Sequence, residues 1–413
     1  LDGNYPTGTG NVALGDTALD SVQGGGTQNT AIGNKAGTAI TTGDANTAVG
    51  FCALITTSTG SNNTAIGDRT LRDNTGSDNT SVGAFSLEAN SSGASNTAVG
   101  RVALCGNNTG SGNVAVGCGA LKANTSADNN TAVGFESLCA NTTGTANVAV
   151  GRLAMCSNTT GGNNTSVGVN SMLKNTTGCC NVALGMHSLD KNTEGDTNTA
   201  VGHKSLCSNT TADNNTSVGA FALCSNTTGT DNTSLGSNSL LTNSTGVNNT
   251  ALGQGAMYHN DTGSCNVAVG KSSLFKNTAN NNTAVGDSSL KCNTTGTNNV
   301  AVGRTSLDAN TTADNNVAVG TSALGLNTTG AENTAVGGAA LDANTTGCQN
   351  TAVGRTSMFS NTTGCQNVAM GRQSLYDNTT GDCNVALGYN SLLNNETADD
   401  NVAVGTHAMF ANT

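Results

Sequence analysis

Residues 130–146 read Asn130-Thr131-Ala132-Val133-Gly134-Phe135-Glu136-Ser137-Leu138-Cys139-Ala140-Asn141-Thr142-Thr143-Gly144-Thr145-Ala146, and Asn147-Val148-Ala149-Val150-Gly151 then restarts the pattern. The element Asn-[Thr/Val]-[Ala/Ser]-[Val/Ile/Leu/Met]-Gly begins at Asn11, Asn29, Asn46, Asn63 and Asn79, and at 19 further places ending with Asn401. Of the 23 intervals between starts, 20 are 17 residues, one is 18 and two are 16. A period this short cannot hold a domain with its own core. It fits one rung of a solenoid, which buries its side chains against the rungs above and below.

Numbered from its asparagine, the repeat has fixed and free positions. Position 3 is Ala or Ser and position 5 is Gly in all 24 copies; position 9 is Leu or Met except at Gly37. Position 8 is Ala or Ser except at Thr70, and position 12 is Asn from Asn74 onward. Positions 6, 7, 10 and 11 vary freely. Positions 1–4 alternate and carry β-branched residues, which predicts a strand. Gly at position 5 permits a positive φ. Positions 7–10 read as a second short strand, and Asn-Thr-Thr-Gly from position 12 as a turn. The fold class expected is all-β, a parallel β-solenoid (β-roll) of about 24 rungs. Residues 1–10 form a lead-in and 11–413 one continuous array. Stacked at the roughly 4.8 Å spacing of paired strands, 24 rungs would extend about 110 Å.

On this reading positions 2, 4 and 9 face the core, with Val49, Leu54, Val133, Leu138, Val302 and Leu307 inside. Position 3 then lies on the opposite face. Its restriction to Ala and Ser predicts that another chain packs there, with Ala98, Ala115, Ala132 and Ala149 near neighbours in a homotrimer. The asparagines at positions 1 and 12 are expected to form side-chain ladders between rungs.

Composition narrows function. The chain has 413 residues, 15 Lys and Arg against 26 Asp and Glu, and a net charge of −11. That opposes nucleic-acid binding, which needs a basic footprint. No apolar run approaches the ~18 residues of a membrane span, so no membrane insertion is expected. The chain opens without Met and stops inside a repeat, which reads as a mature product or a piece of a longer chain. His187, His203, His259 and His407 sit at variable positions without zinc-site spacing. Asp128, Asp213, Asp314 and Asp399 share position 16 but are far apart in sequence, so they suggest neither paired acid/base chemistry nor a dense calcium ladder. No catalytic residue, metal site or cofactor is expected.

Three cysteine pairs share a phase in neighbouring rungs: Cys139 and Cys156, Cys207 and Cys224, Cys348 and Cys365. Rung spacing puts their Cα atoms within disulfide range, so they are candidate disulfides and favour an extracellular destination. Cys179 and Cys180 are adjacent and cannot easily bond to each other. Asn124, Asn158, Asn209, Asn310 and Asn361 open Asn-X-Thr/Ser acceptor sequences for glycosylation, although the turn asks for the same asparagine.

The elements Asn-Thr-Ala-Val-Gly and Asn-Val-Ala-Val-Gly, each followed by a small residue and a Leu, resemble the head repeats of trimeric autotransporter adhesins and similar repeats of phage tail-fibre proteins. Gly33-Asn34-Lys35-Ala36-Gly37 and Thr42-Gly43-Asp44-Ala45-Asn46 are closest to the adhesin pattern. The resemblance spans residues 11–413. It implies a trimer of left-handed parallel β-rolls with two strands per rung. The family's head repeats are shorter than 17 residues, and no anchor barrel, coiled-coil stalk or chaperone domain is evident.

The function expected is a non-catalytic fibre shaft at a virion surface or outside a cell. Its partners are expected to be further copies of itself, with a host receptor or glycan as a further candidate. The alternatives are an extracellular adhesin or self-assembling cell-surface filament and, ranked lower, an ice-binding solenoid. A spike-type carbohydrate enzyme ranks low because no acidic groove with aromatic platforms is legible.

Overall fold

A computed structural model describes residues 8–22 and 25–411; most of the 1–10 lead-in lies outside the described residues. The chain divides into two compact units, Leu1–Thr211 and Ala212–Thr413. Each is a parallel β-solenoid with one three-residue strand per rung. Strands β1 (Val12–Leu14) to β12 (Thr199–Val201) belong to the first unit and β13 (Thr216–Val218) to β24 (Val402–Val404) to the second. No helix occurs among the described residues. Equivalent positions stack without offset: Thr131 pairs with Val148, Ala132 with Ala149 and Val133 with Val150.

The strand faces the opposite way from the sequence expectation. In 23 of the 24 strands the middle residue is buried, and in none is either flanking residue buried. Ala98, Ala115, Ala132 and Ala149 are fully buried within their own chain. Val49 and Val133 are only half-buried, and Val302 is 36% exposed. Leu54, Leu138 and Leu307 are fully buried, as expected. The reason is the narrow interior. Position 3 meets position 8 directly across it: Ser166 Oγ donates to the Ser171 carbonyl at 2.9 Å and Ser217 Oγ to that of Ala222 at 2.8 Å. Only Ala or Ser fits between walls this close, so small side chains at position 3 follow from the single chain and require no neighbour.

The second strand is also absent. Positions 7 and 9 take left-handed backbone even with ordinary side chains; Glu136 has φ 49° and Leu138 φ 52°. The chain here alternates its hydrogen-bonding direction. Glu136 N–H donates to the Cys118 carbonyl of the preceding rung at 2.9 Å, and Leu138 N–H to the Ala154 carbonyl of the following rung at 2.9 Å. Left-handed conformations are costly for leucine, and the single departure from Leu or Met at position 9 is a glycine. There, Ile40 fills the space, and a Cβ on Gly37 would lie 3.0 Å from its Cδ1.

Gly at position 5 is required twice over. Gly134 has φ 138°, and a Cβ would lie 2.4 Å from the Gly151 carbonyl oxygen.

Both asparagine ladders form. Asn147 N–H donates to Asn130 Oδ1 at 2.9 Å, and its Nδ2 donates to the Gly161 carbonyl at 2.9 Å. Asn158 Nδ2 donates to that same carbonyl at 2.9 Å and to Asn141 Oδ1 at 2.8 Å. From the rung of Asn63 to that of Asn384, each therefore encloses one large apolar side chain and two amides. Rung-to-rung hydrogen bonding satisfies polar groups that a narrow coil must bury.

Candidate functional surfaces

With positions 3, 8 and 9 inside, positions 2 and 4 of every strand face outward. Position 2 is Thr or Val and position 4 Val, Ile, Leu or Met in all 24 rungs, so no charge occurs in either column. Ile66 is 41% exposed, Leu235 44%, Leu252 41% and Met370 45%. Position 4 is apolar throughout, and position 2 is Thr in 14 rungs and Val in ten; a sheet face this free of charge is uncommon on a solvated surface, because scattered charges normally interrupt it. The sequence pattern recorded these residues but not their direction.

The five candidate glycosylation asparagines are all fully buried. Asn124 Nδ2 donates to Asn107 Oδ1 at 2.8 Å and to the Ala127 carbonyl at 3.0 Å. Asn158, Asn209, Asn310 and Asn361 likewise donate to the amide one rung back, at 2.8, 2.8, 2.8 and 2.9 Å. The nitrogen that would carry a glycan is an internal hydrogen-bond donor, so the folded coil offers none of these five sites.

The position-16 carboxylates have a structural role that sequence reasoning missed. Ser111 N–H donates to Asp128 Oδ1 at 2.7 Å, Thr297 N–H to Asp314 Oδ1 at 2.6 Å, and Asp382 N–H to Asp399 Oδ1 at 2.7 Å. Each caps a backbone donor of the preceding rung. The recurrence of Asp, Asn, Ser and Cys at this one position was the available signal. Asp213 also lies at this position, and its carbonyl accepts Asp231 N–H at 3.2 Å.

The histidines do not converge. His187 Nδ1 is 2.9 Å from Asp190 Oδ2 on its own rung. His259 lies beside Tyr258 and Phe275, and His407 beside Tyr389 and Phe410. His203 lies in another rung. Among the described residues no three His, Cys, Asp or Glu side chains are grouped to hold a metal ion. No described helix is long and apolar enough to cross a membrane.

Outer side chains instead pair along the stack. Phe359 and Tyr376 stack at 5.3 Å, and Arg372 lies 5.8 Å over the Tyr389 ring. Burial raises the carboxyls of Asp308, Asp342 and Asp377 above the ordinary range.

Twelve of the 14 cysteines are free thiols. Cys207 and Cys224 are disulfide-bonded. The Cys348 and Cys365 sulfurs are 2.9 Å apart, and Cys139 Sγ lies 3.3 Å from the Cys156 carbonyl oxygen.

Among known proteins, no family model matches this chain and no curated protein matches it.

Proposed function

We propose that this chain is a structural shaft of tail-fibre or surface-attachment type, working without catalysis at a virion surface or outside a cell, and that it assembles as a homotrimer. The observation that carries the proposal is the outward column pair at positions 2 and 4, charge-free in every rung and apolar at position 4 throughout. Burying such a face against copies of itself removes repeated apolar area from water, and the shared period gives every copy the same rung spacing along the contact. This replaces position 3 as the basis for assembly. The recurring polar side chains support the same reading, since the ladders and caps use them for stacking. Outer residues at positions 6, 7, 10 and 11 are left to contact a host receptor or glycan as weak, repeated interactions.

The test is assembly state. Light scattering should give a trimer for the wild-type chain and a monomer for Val133→Lys/Val150→Lys, with unchanged circular dichroism. A wild-type monomer would refute assembly through this face. The in-register Thr and Val of position 2, now seen to face outward, also favour a second reading as an ice-binding surface. A monomer that produces thermal hysteresis in freezing solution would select it.

A further inference from the structure

We propose that Cys348 with Cys365, and Cys139 with Cys156, are reversible dithiol/disulfide couples that close between neighbouring rungs by exchange with a low-molecular-weight disulfide of the glutathione class. This goes beyond the assembly reading and does not depend on it.

Geometry carries the proposal. Flat strands would hold same-phase side chains parallel, but neither pair lies on a strand. Cys348 and Cys365 occupy position 16, where side chains lean back to cap the preceding rung. Cys365 Sγ takes the place that Asp fills elsewhere and accepts the Cys348 N–H at 3.1 Å. That lean brings the sulfurs to 2.9 Å. Cys139 leans forward instead, its Sγ 3.3 Å from the Cys156 carbonyl oxygen. All four residues are half-buried, so a small reagent can reach them.

The order of attack follows from which thiol keeps its proton. The hydrogen bond with Cys365, reinforced by burial, pushes the Cys348 thiol up to about 11, which leaves Cys365 as the attacking sulfur. In the other pair, the hydrogen bond from Cys139 lowers the Cys156 thiol and makes it the attacker. The attacking thiolate displaces one thiolate from the small disulfide and forms a mixed disulfide. The second cysteine gives its proton to water and attacks the same protein sulfur, releasing the other thiolate. Two cysteine thiols are oxidised and one small disulfide is reduced to two thiols.

The test uses the intact protein in buffers of rising oxidised-to-reduced glutathione ratio. Samples are trapped with N-ethylmaleimide, denatured and digested with trypsin without reduction. Arg355 separates Cys348 from Cys365, and Arg152 separates Cys139 from Cys156, so each resulting peptide carries one cysteine. The expected result is that 305–355 becomes joined to 356–372, and 123–152 to 153–174. Free thiols should fall from the twelve present to eight. Cys348→Ser should abolish the first link alone, leaving Cys365 trapped by maleimide or carrying glutathione, with an unchanged circular dichroism spectrum. Separate glutathione adducts on both members of each pair, or four cysteines fully alkylated at every ratio, would overturn the proposal. Links found only between isotopically distinct chains after mixing would overturn it as well.

Discussion

A buried asparagine in this chain serves as donor and acceptor together, which sets what its removal does. Asn158 Nδ2 bonds Asn141 Oδ1 and the Gly161 carbonyl, and Asn158 Oδ1 receives Asn175 Nδ2 at 2.8 Å. Asn158→Ala should lower stability by about 1–3 kcal/mol, the cost of stranding buried polar groups, in denaturant unfolding. Asn158→Asp would retain the acceptor and lose the donor, so it should be no less damaging at neutral pH. Asp308 predicts the opposite sign. Burial raises its carboxyl, with Asp287 adding to the effect and Lys291 opposing it. Its Oδ1 is buried without a hydrogen-bond partner. A carboxyl raised in the folded state favours folding when protonated, an advantage present below the ordinary value of 3.8 and lost as pH rises through the folded value. Asp308→Asn should therefore stabilise the protein at pH 7, with a gain that shrinks as pH falls into the acid range. Equal effects at both pH values would refute this account.

At the scale of the rung, the question is how the backbone turns. The two 16-residue repeats are shortened at the turn. In the two 16-residue rungs one threonine is missing, and Asn74 and Asn277 reach the carbonyls of Gly76 and Ala279 two residues on, at 2.8 Å each. The usual reach is three residues, as from Asn141 to Gly144 at 2.9 Å. The buried half of the rung has no such freedom. Gly134→Ala would place a methyl 2.4 Å from the Gly151 carbonyl oxygen at a φ that alanine resists. It should destabilise far more than Glu136→Lys, whose side chain points outward; comparable denaturation midpoints would contradict this. Ala132→Arg separates the two accounts of position 3. Ala132 is fully buried in its own chain, so the variant should lose its folded circular dichroism signal and not merely dissociate.

For the molecule as a whole, stability is a sum over rungs and nearest-neighbour contacts. Removing one complete rung, residues 147–163, should restack Asn164 on Asn130 and retain the circular dichroism spectrum. Removing half a rung, residues 147–155, should disrupt it, because side chains that face inward would meet the wrong column. Identical spectra for the two deletions would refute a stack held in strict register.

The sequence by itself determined the period, the parallel stacking, the glycine at position 5 and both asparagine ladders. Each is a one-residue-per-rung constraint, and 24 repetitions make it legible. Position 3 shows the limit. An alternation of two defines two faces of a strand but not which is inside. That was decided by the left-handed backbone at positions 7 and 9, which brings the opposite wall so close that Ala132 fits inside and Val133 does not. Left-handed leucines leave no ordinary signature in sequence, because leucine is chosen there for burial. The sequence expectation therefore put valine inside and alanine at a chain interface. Only the packed cross-section turned the apolar face outward, denied the sequons their nitrogens and leaned Cys365 against Cys348.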